Sequence, residues 1–223
     1  MKGTENVLKA CLSNGVKKVI CLSSVAVATG NRETPLTESM PLNATNPYGQ
    51  SKLEAEEVAQ GFRRKGLKIA IIRPCMVYGE DEPHALGLMI KAIKMRILPV
   101  FADGNNKLHL VGVNNVVDVL VMCLSNERAF EGTYFVADKE ALSIKEVLNY
   151  MAKVAGARGP FVIPKPLTEF LKKVPLVGKR VSFCMKERSY SIKRLEEYLG
   201  YTPRVSVYEG LKKAVLSFVK NGK

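Results

Sequence analysis

At 223 residues, 47% apolar and 25% charged, the chain can bury a sizeable core, which sets aside an intrinsically disordered segment. No run of about 18 consecutive apolar residues exists, so no segment reads as a spanning helix. The net charge is +13, with +9 of it in residues 160–223 and +4 in residues 1–159. Such a charge attracts anions, whether dinucleotide, nucleotide-linked substrate, nucleic acid or membrane surface; it also fits a lysine-rich solvated face. No aromatic–basic interleaving supports nucleic-acid binding. Lys165 to Arg180 has the look of a basic amphipathic segment, but Pro175 and Gly178 break it, so a short helix and no stable membrane association are expected. Met1-Lys2-Gly3-Thr4-Glu5-Asn6 leads into an amphipathic stretch, not a signal-peptide core. The five cysteines (11, 21, 75, 123, 184) lack C-x-x-C spacing and read as free thiols of a cytoplasmic protein. With His84 and His109 as the only histidines, no metal site is expected.

In chain order, the pattern predicts a helix over about 3–13 and a strand over 17–22. A Thr-, Asn- and Pro-rich loop from Val25 to Asn46 is long for a connection, which suggests a lid or wall. A helix over 47–65 stops at Gly66, and the strand 68–73 leads into a loop through His84. Then come helix 86–96, strands 98–101 and 108–113, helix 115–125 and strand 133–137. Ser143 reads as the N-cap of a helix over 143–155, with Glu146 completing a capping box. A short strand at 160–163 and helices near 167–173, 191–199 and 206–220 finish the chain. Alternating strands and helices through Arg73 imply an α/β fold, a partial Rossmann-type doubly wound parallel sheet with a smaller C-terminal α/β substrate lobe. Residues 1–80, with 108–125 returning, are expected to form the cofactor part, and 81–223 mainly the substrate lobe.

The most informative stretch is Pro47-Tyr48-Gly49-Gln50-Ser51-Lys52. Asn46 is a good N-cap and Pro47 suits the first helical position. Spacing of four puts Tyr48 and Lys52 on one helix face. The helix N-terminus and the ammonium both favour phenolate, so Tyr48 is expected to pass protons near neutral pH. Spacing alone is weak, because Tyr208-Glu209-Gly210-Leu211-Lys212 repeats it on an amphipathic terminal helix. Context separates the two. Before Tyr48 lies Val19-Ile20-Cys21-Leu22-Ser23-Ser24, a strand ending in two serines. After it lies Ile69-Ala70-Ile71-Ile72-Arg73-Pro74, a second buried strand.

These segments resemble the extended short-chain dehydrogenase/reductases, the NAD-dependent epimerase/dehydratase superfamily. Ser23-Ser24-Val25-Ala26-Val27, the Tyr48 segment and Arg73-Pro74-Cys75-Met76-Val77-Tyr78-Gly79 carry the likeness. Gly3-Thr4-Glu5-Asn6, Ala102-Asp103-Gly104 with Val113-Asn114-Asn115-Val116, and Leu199-Gly200-Tyr201-Thr202-Pro203 extend it, in family order, over nearly the whole chain. The resemblance implies an NAD(P)-dependent oxidoreductase or epimerase acting on a hydroxyl or ketone of a small molecule. Ser24, Tyr48 and Lys52 would be catalytic, with Ser23 competing for the serine role. Tyr48, Lys52, Pro74, Cys75, Met76 and Val77 would flank NAD or NADP. Ser24, Val25, His84 and Lys107 are candidate substrate contacts; Arg73 is expected to be structural. A homodimer would be in keeping with much of the family.

The family's opening strand and Gly-x-x-Gly-x-x-Gly, whose backbone N–H groups hold the cofactor pyrophosphate, are not found among the 17 glycines. The chain therefore reads as N-terminally truncated. Leu108 occupies the position where nucleotide-sugar members carry a phosphate-binding Arg, and Asn115 replaces the usual acid. Both tilt the substrate toward a simple alcohol or ketone and away from a nucleotide sugar. The alternatives are a nucleotide-sugar epimerase/dehydratase and a non-catalytic scaffold of the same fold.

Overall fold

The computed structural model describes residues 2–80, 82 and 85–220. The first part runs α1 (Lys2–Ser13), β1 (Lys18–Leu22), a 3-10 turn (Val25–Val27), α2 (Pro47–Arg63), β2 (Lys68–Pro74) and β3 (Met76–Tyr78). The middle runs α3 (Ala85–Lys94), β4 (Val100–Phe101), β5 (Lys107–Leu108), β6 (Leu110–Gly112), α4 (Val113–Ser125) and β7 (Thr133–Val136). The last part is β8 (Leu142–Ser143), α5 (Ile144–Val154), β9 (Val162–Ile163), α6 (Lys165–Lys173), α7 (Val177–Cys184), α8 (Lys193–Leu199) and α9 (Val207–Lys220).

The central sheet is parallel in the order β1-β2-β7, with Val19 opposite Ile69 and Ile72 opposite Tyr134. Its middle strand reads as an unbroken apolar run because both faces are covered. Ile69 and Ile71 pack with Leu8 and Phe62 of α1 and α2. Ala70 and Ile72, pointing the other way, pack with Val116 and Val119 of α4 and Leu195 of α8. A second core joins Tyr78, Ile90, Leu110, Met151, Leu211 and Val215, bringing α3, α5 and α9 together. Among the described residues no helix is long and apolar enough to cross a membrane.

Three departures from the sequence pattern have physical causes. The single strand expected at 108–113 is split at His109: β5 pairs antiparallel with β8, and β6 pairs parallel with β3. β3 was hidden in the stretch after Pro74 because three residues give no period to read. α7 was hidden by Gly178, read as a breaker, yet Gly178 is the buried contact where a Cβ would collide with the Lys172 carbonyl on α6. The capping box is formed: Ser143 Oγ accepts from Glu146 N–H at 3.1 Å, and Glu146 accepts from Ser143 N–H at 2.7 Å.

Arg73, on β2, meets Glu56 of α2 inside the protein. Nε donates to Oε1 at 2.9 Å and Nη2 to Oε2 at 2.5 Å, a bidentate pair beneath the Phe135 ring. The pair ties the Tyr48 helix to the sheet, which is the structural role expected for Arg73. Arg73→Met should destabilise the protein by about 3–5 kcal/mol, since it strands a buried carboxylate. Arg73→Met with Glu56→Leu should recover much of that loss in urea denaturation. Equal losses in single and double variants would show that the pair is not what holds α2.

Candidate active site

α2 begins where the sequence places it. Asn46 Oδ1 accepts from Gly49 N–H at 2.8 Å, and Pro47 occupies the first turn. Gly49 sets the position of the whole helix: a Cβ there would stand 2.6 Å from the Ala26 carbonyl. The missing side chain lets α2 press against the 3-10 turn that follows β1, so Tyr48 shares the cleft with Val25 and Ala26; neither serine is among the residues lining it. Tyr48 and Lys52 lie one turn apart, with Lys52 Nζ 5.8 Å from the phenol ring centre. Lys52 Nζ also donates to the Leu22 carbonyl at 3.1 Å, at the C-terminal end of β1. Tyr48 is 56% exposed and faces an open cleft.

The cleft encloses ≈ 320 Å³, with Val25, Thr45, Tyr48, Met76, His109 and Tyr190 on its walls. The loop between Val27 and Asn46 forms part of the frame, as expected of a wall. Leu36 pairs with Tyr190 in a β-bridge, and Glu38 accepts from Phe135 N–H at 2.7 Å. Burial raises the Glu38 carboxyl above its ordinary value.

Of the two serines, Ser24 Oγ accepts from Ala26 N–H at 3.2 Å and caps the 3-10 turn. Accepting that bond leaves its own proton available to donate. Ser23 is buried, and its Oγ has no partner among the described residues. Pro74 and Cys75 are buried beneath the site, and burial drives the Cys75 thiol well above its ordinary range. Met76 reaches the cleft wall, whereas Val77 packs into the core. Val25 lines the cleft; Lys107 is not among its lining residues, and its backbone N–H donates to Glu187 at 2.8 Å. His84 lies outside the described residues.

The cleft's charge is the feature the sequence did not disclose. Lys186 and Arg188 line it, and among the described residues no Asp or Glu does. Lys186 donates to the Thr29 carbonyl; Arg188 donates to the Phe183 carbonyl at 2.8 Å and stacks over that ring at 4.3 Å. Burial lowers both pKa values, and Arg188 adds to the lowering at Lys186. Among the described residues neither has an ion-pair partner. Arg188 is the β-bridge neighbour of Leu108, so a guanidinium stands next to the position where the sequence shows only leucine.

His109 is buried and contributes no charge. Tyr190 N–H donates to Nδ1 at 3.2 Å, which leaves Nε2 to donate to the Asp138 carbonyl at 2.7 Å. Burial lowers the imidazole pKa, consistent with that neutral form. The Asp138 carboxylate in turn accepts from Tyr78 OH at 2.7 Å, Asn115 Nδ2 at 2.8 Å and Gly112 N–H at 3.0 Å. The second Tyr-x-x-x-Lys lies elsewhere: Tyr208 borders a different cavity with Lys139, Glu140 and Arg204, and its ring stands edge-on to Tyr150 at 5.0 Å.

A parallel α/β sheet with Tyr48 exposed in a cleft beyond the end of its first strand, and Lys52 one turn further along the same helix, has the architecture of the Rossmann-type enzymes. Residues 1–137 match the NAD dependent epimerase/dehydratase family, and the chain belongs to that family of enzymes. It is 28% identical to a UDP-glucose 4-epimerase of Vibrio cholerae, over 98% of this chain and 68% of that protein. It is 27% identical to the 3beta-hydroxysteroid-dehydrogenase/decarboxylase isoform 2 of Arabidopsis thaliana, over 98% of this chain and 44% of that one. A UDP-glucuronic acid 4-epimerase from Bacillus cereus, solved with NAD, superposes with a TM-score of 0.80 at 21% identity, over 99% of this chain and 67% of that one. The chain thus spans about half to two thirds of the length of these relatives.

Asn115, read from sequence as a substrate signal, is a structural partner of Asp138. Asn115→Asp would set two carboxylates against each other in a buried site and should cost roughly 3 kcal/mol or more at neutral pH. Burial already raises the Asp138 pKa, so its stabilising contribution is full below the ordinary carboxylate range and is lost as pH rises through the raised value. The Asn115→Asp deficit should therefore shrink in acid, where one carboxyl keeps its proton. The swap Asn115→Asp with Asp138→Asn should recover stability. A pH-independent deficit in thermal melts would refute this account.

Proposed function

We propose that this chain supplies the proton-transfer machinery and substrate cleft of an NAD(P)-dependent oxidoreductase or epimerase acting at a hydroxyl or ketone carbon. The observation that carries the reading is Tyr48, exposed at the cleft with Lys52 one turn behind it, on a helix locked down by Gly49 and the Glu56–Arg73 pair. Tyr48 Oη takes the proton of a substrate hydroxyl, or returns it to a carbonyl oxygen. Taking that proton turns a phenolate into the phenol, and giving it to a carbonyl oxygen turns the phenol into the phenolate; the Lys52 ammonium stands one helical turn away, 5.8 Å from the ring centre. The Ser24 hydroxyl donates a hydrogen bond to the same substrate oxygen. NAD or NADP, held near Tyr48, Lys52 and the Pro74–Met76 backbone, would supply the hydride chemistry at the substrate carbon.

The residues present fit one end of that cofactor. An exposed phenol and ammonium at the end of a parallel sheet, with the Pro74–Met76 backbone beneath, suit the nicotinamide and its ribose. Residues 1–223 contain no Gly-x-x-Gly-x-x-Gly to hold the pyrophosphate. On this reading residues 1–80 with 108–125 serve the cofactor, and 81–223 mainly serve the substrate.

The cation pair favours a substrate that carries an anionic group. Two cations in a partly buried cleft without a carboxylate make a positive site that a phosphate or carboxylate would neutralise. This revives the nucleotide-sugar reading that Leu108 and Asn115 argued against. Relatives named as UDP-sugar epimerases support it; a relative named as a steroid dehydrogenase keeps the simpler alcohol in view.

In a catalytically active form, Tyr48→Phe should lower kcat by roughly 10²–10⁴-fold, while Tyr208→Phe stays near wild type. Unchanged turnover in Tyr48→Phe would end the proposal. The anion site is tested separately by calorimetric titration with UDP. Arg188→Gln and Lys186→Gln should each weaken binding by about tenfold, the worth of one charge-assisted contact. Undetectable UDP binding by the wild type would return the substrate to an uncharged alcohol.

A further inference from the structure

We infer that the α6–α7 hairpin docks on an anionic lipid surface. The sequence argued against a membrane-lying segment because Pro175 and Gly178 interrupt residues 165–180. In the structure that interruption folds the segment back on itself. Gly178 N–H bonds to the Val174 carbonyl at 2.8 Å, and Gly178 packs where no side chain would fit, against the α6 backbone. The result is a compact helical hairpin with an apex at Pro175-Leu176-Val177.

The apex is strained and apolar at once. Leu176 has φ 66° and ψ −45°, and Val177 N–H bonds to the Pro175 carbonyl at 2.8 Å. This is a three-residue γ-turn of the rare, strained hand, in a φ region that leucine seldom adopts. The strain turns the largest part of the leucine outward: Leu176 is 83% exposed, the highest value among the large exposed apolar side chains. Phe170 and Phe183 are 63% and 65% exposed, with Leu167 and Val177 also exposed. Leu167 and Phe170, three apart, share a face of α6; Leu176 stands at the apex before α7, and Phe183 lies in its last turn. Water rewards neither the strain nor the exposure.

Charge selects the occupant. Lys165, Lys172, Lys173, Lys179 and Arg180 lie on the hairpin with one acidic residue, Glu169, which pairs with Lys172 at 2.8 Å. Among the described residues the other four cations have no ion-pair partner. Apolar side chains at an apex flanked by unpaired cations match a surface that is hydrocarbon within and anionic at its face. Such binding is peripheral and reversible. The inference stands on the hairpin alone, but it bears on the proposed function, because Phe183 also lines the Tyr48 cleft. Docking would set the cleft mouth against the lipid surface, where a membrane-resident substrate is presented.

Flotation of the whole 223-residue chain with vesicles tests this. We expect it to float with an equal mixture of phosphatidylcholine and phosphatidylglycerol at low salt, and not with phosphatidylcholine alone. Phe170→Ser with Leu176→Ser keeps the net charge and should lower the bound fraction about tenfold. Val121→Ser with Leu124→Ser, exposed apolar residues of α4, serves as the matched control and should bind like wild type. Circular dichroism melts establish that each variant is folded. Equal flotation of the Phe170/Leu176 variant and wild type would overturn the inference, reducing the effect to bulk charge. Absence of flotation would also overturn it. So would a dimer that the Phe170/Leu176 variant abolishes without any vesicle binding, since a second copy would then be the occupant.

Discussion

The Asp138 carboxylate, buried just past β7, is the constraint on which both cores and the cleft depend. Its two oxygens accept from Tyr78 in the second core, from Asn115 in the first turn of α4, and from the Gly112 backbone between them. Its own backbone N–H bonds to Leu110, and its carbonyl fixes His109 in the neutral form that leaves the cleft charge to Lys186 and Arg188. Asn115 extends the network to Val205 in both directions, and Tyr201 OH donates to the Asn115 carbonyl. One ionisable group thus joins β3, β6, α4 and the segment leading into α9. Burying it without these donors would cost several kcal/mol; with them, it fixes where the two cores meet.

A second buried charge does the corresponding work for the reactive helix. Without the Glu56–Arg73 pair, α2 would rest on the sheet through the apolar Ala59 and Phe62 and, at its far end, through Arg63, which donates to the Ile69 carbonyl at 2.8 Å. The part of the helix nearer Tyr48 would then be held by apolar packing, which has no direction. A bidentate pair does have direction. With Gly49 pressing against Ala26, it sets both the height and the rotation of α2. Tyr48 can then be more than half exposed and still be placed by rigid elements.

This division explains what was legible in the sequence. Ile69 to Ile72, the Ser143–Glu146 box and the Asn46-Pro47 start carry local signals, and the elements they announce are formed. Tyr48 and Lys52 are legible as a pair because their partnership spans one helical turn. Asp138, Lys186 and Arg188 are not legible as a group. Asp138 works with Tyr78, 60 residues away, and the approach of Arg188 to Leu108 depends on a strand crossing that no period announces. Charge counting found the basic C-terminal third without distinguishing cations aimed into the cleft from those on α6 and α7. Asn115 misled for the same reason: its local context resembled a substrate signal, while its role is set by a carboxylate more than twenty positions on.

Buried charges in this protein fall into two kinds. Asp138 and Glu56 are satisfied by the chain itself and hold the frame. Lys186 and Arg188 have only backbone carbonyls and an aromatic face among the described residues, with no carboxylate to oppose them. Carbonyl dipoles orient a cation but do not neutralise it, and two such cations side by side raise each other's cost. A fold that spends two ionic networks on its frame and leaves Lys186 and Arg188 unopposed among the described residues lining the Tyr48 cleft is suited to receive charge from outside. That asymmetry follows from the geometry rather than from the family. Binding of an anion there would relieve repulsion already present in the folded chain, so the ligand would stabilise the protein as well as occupy it.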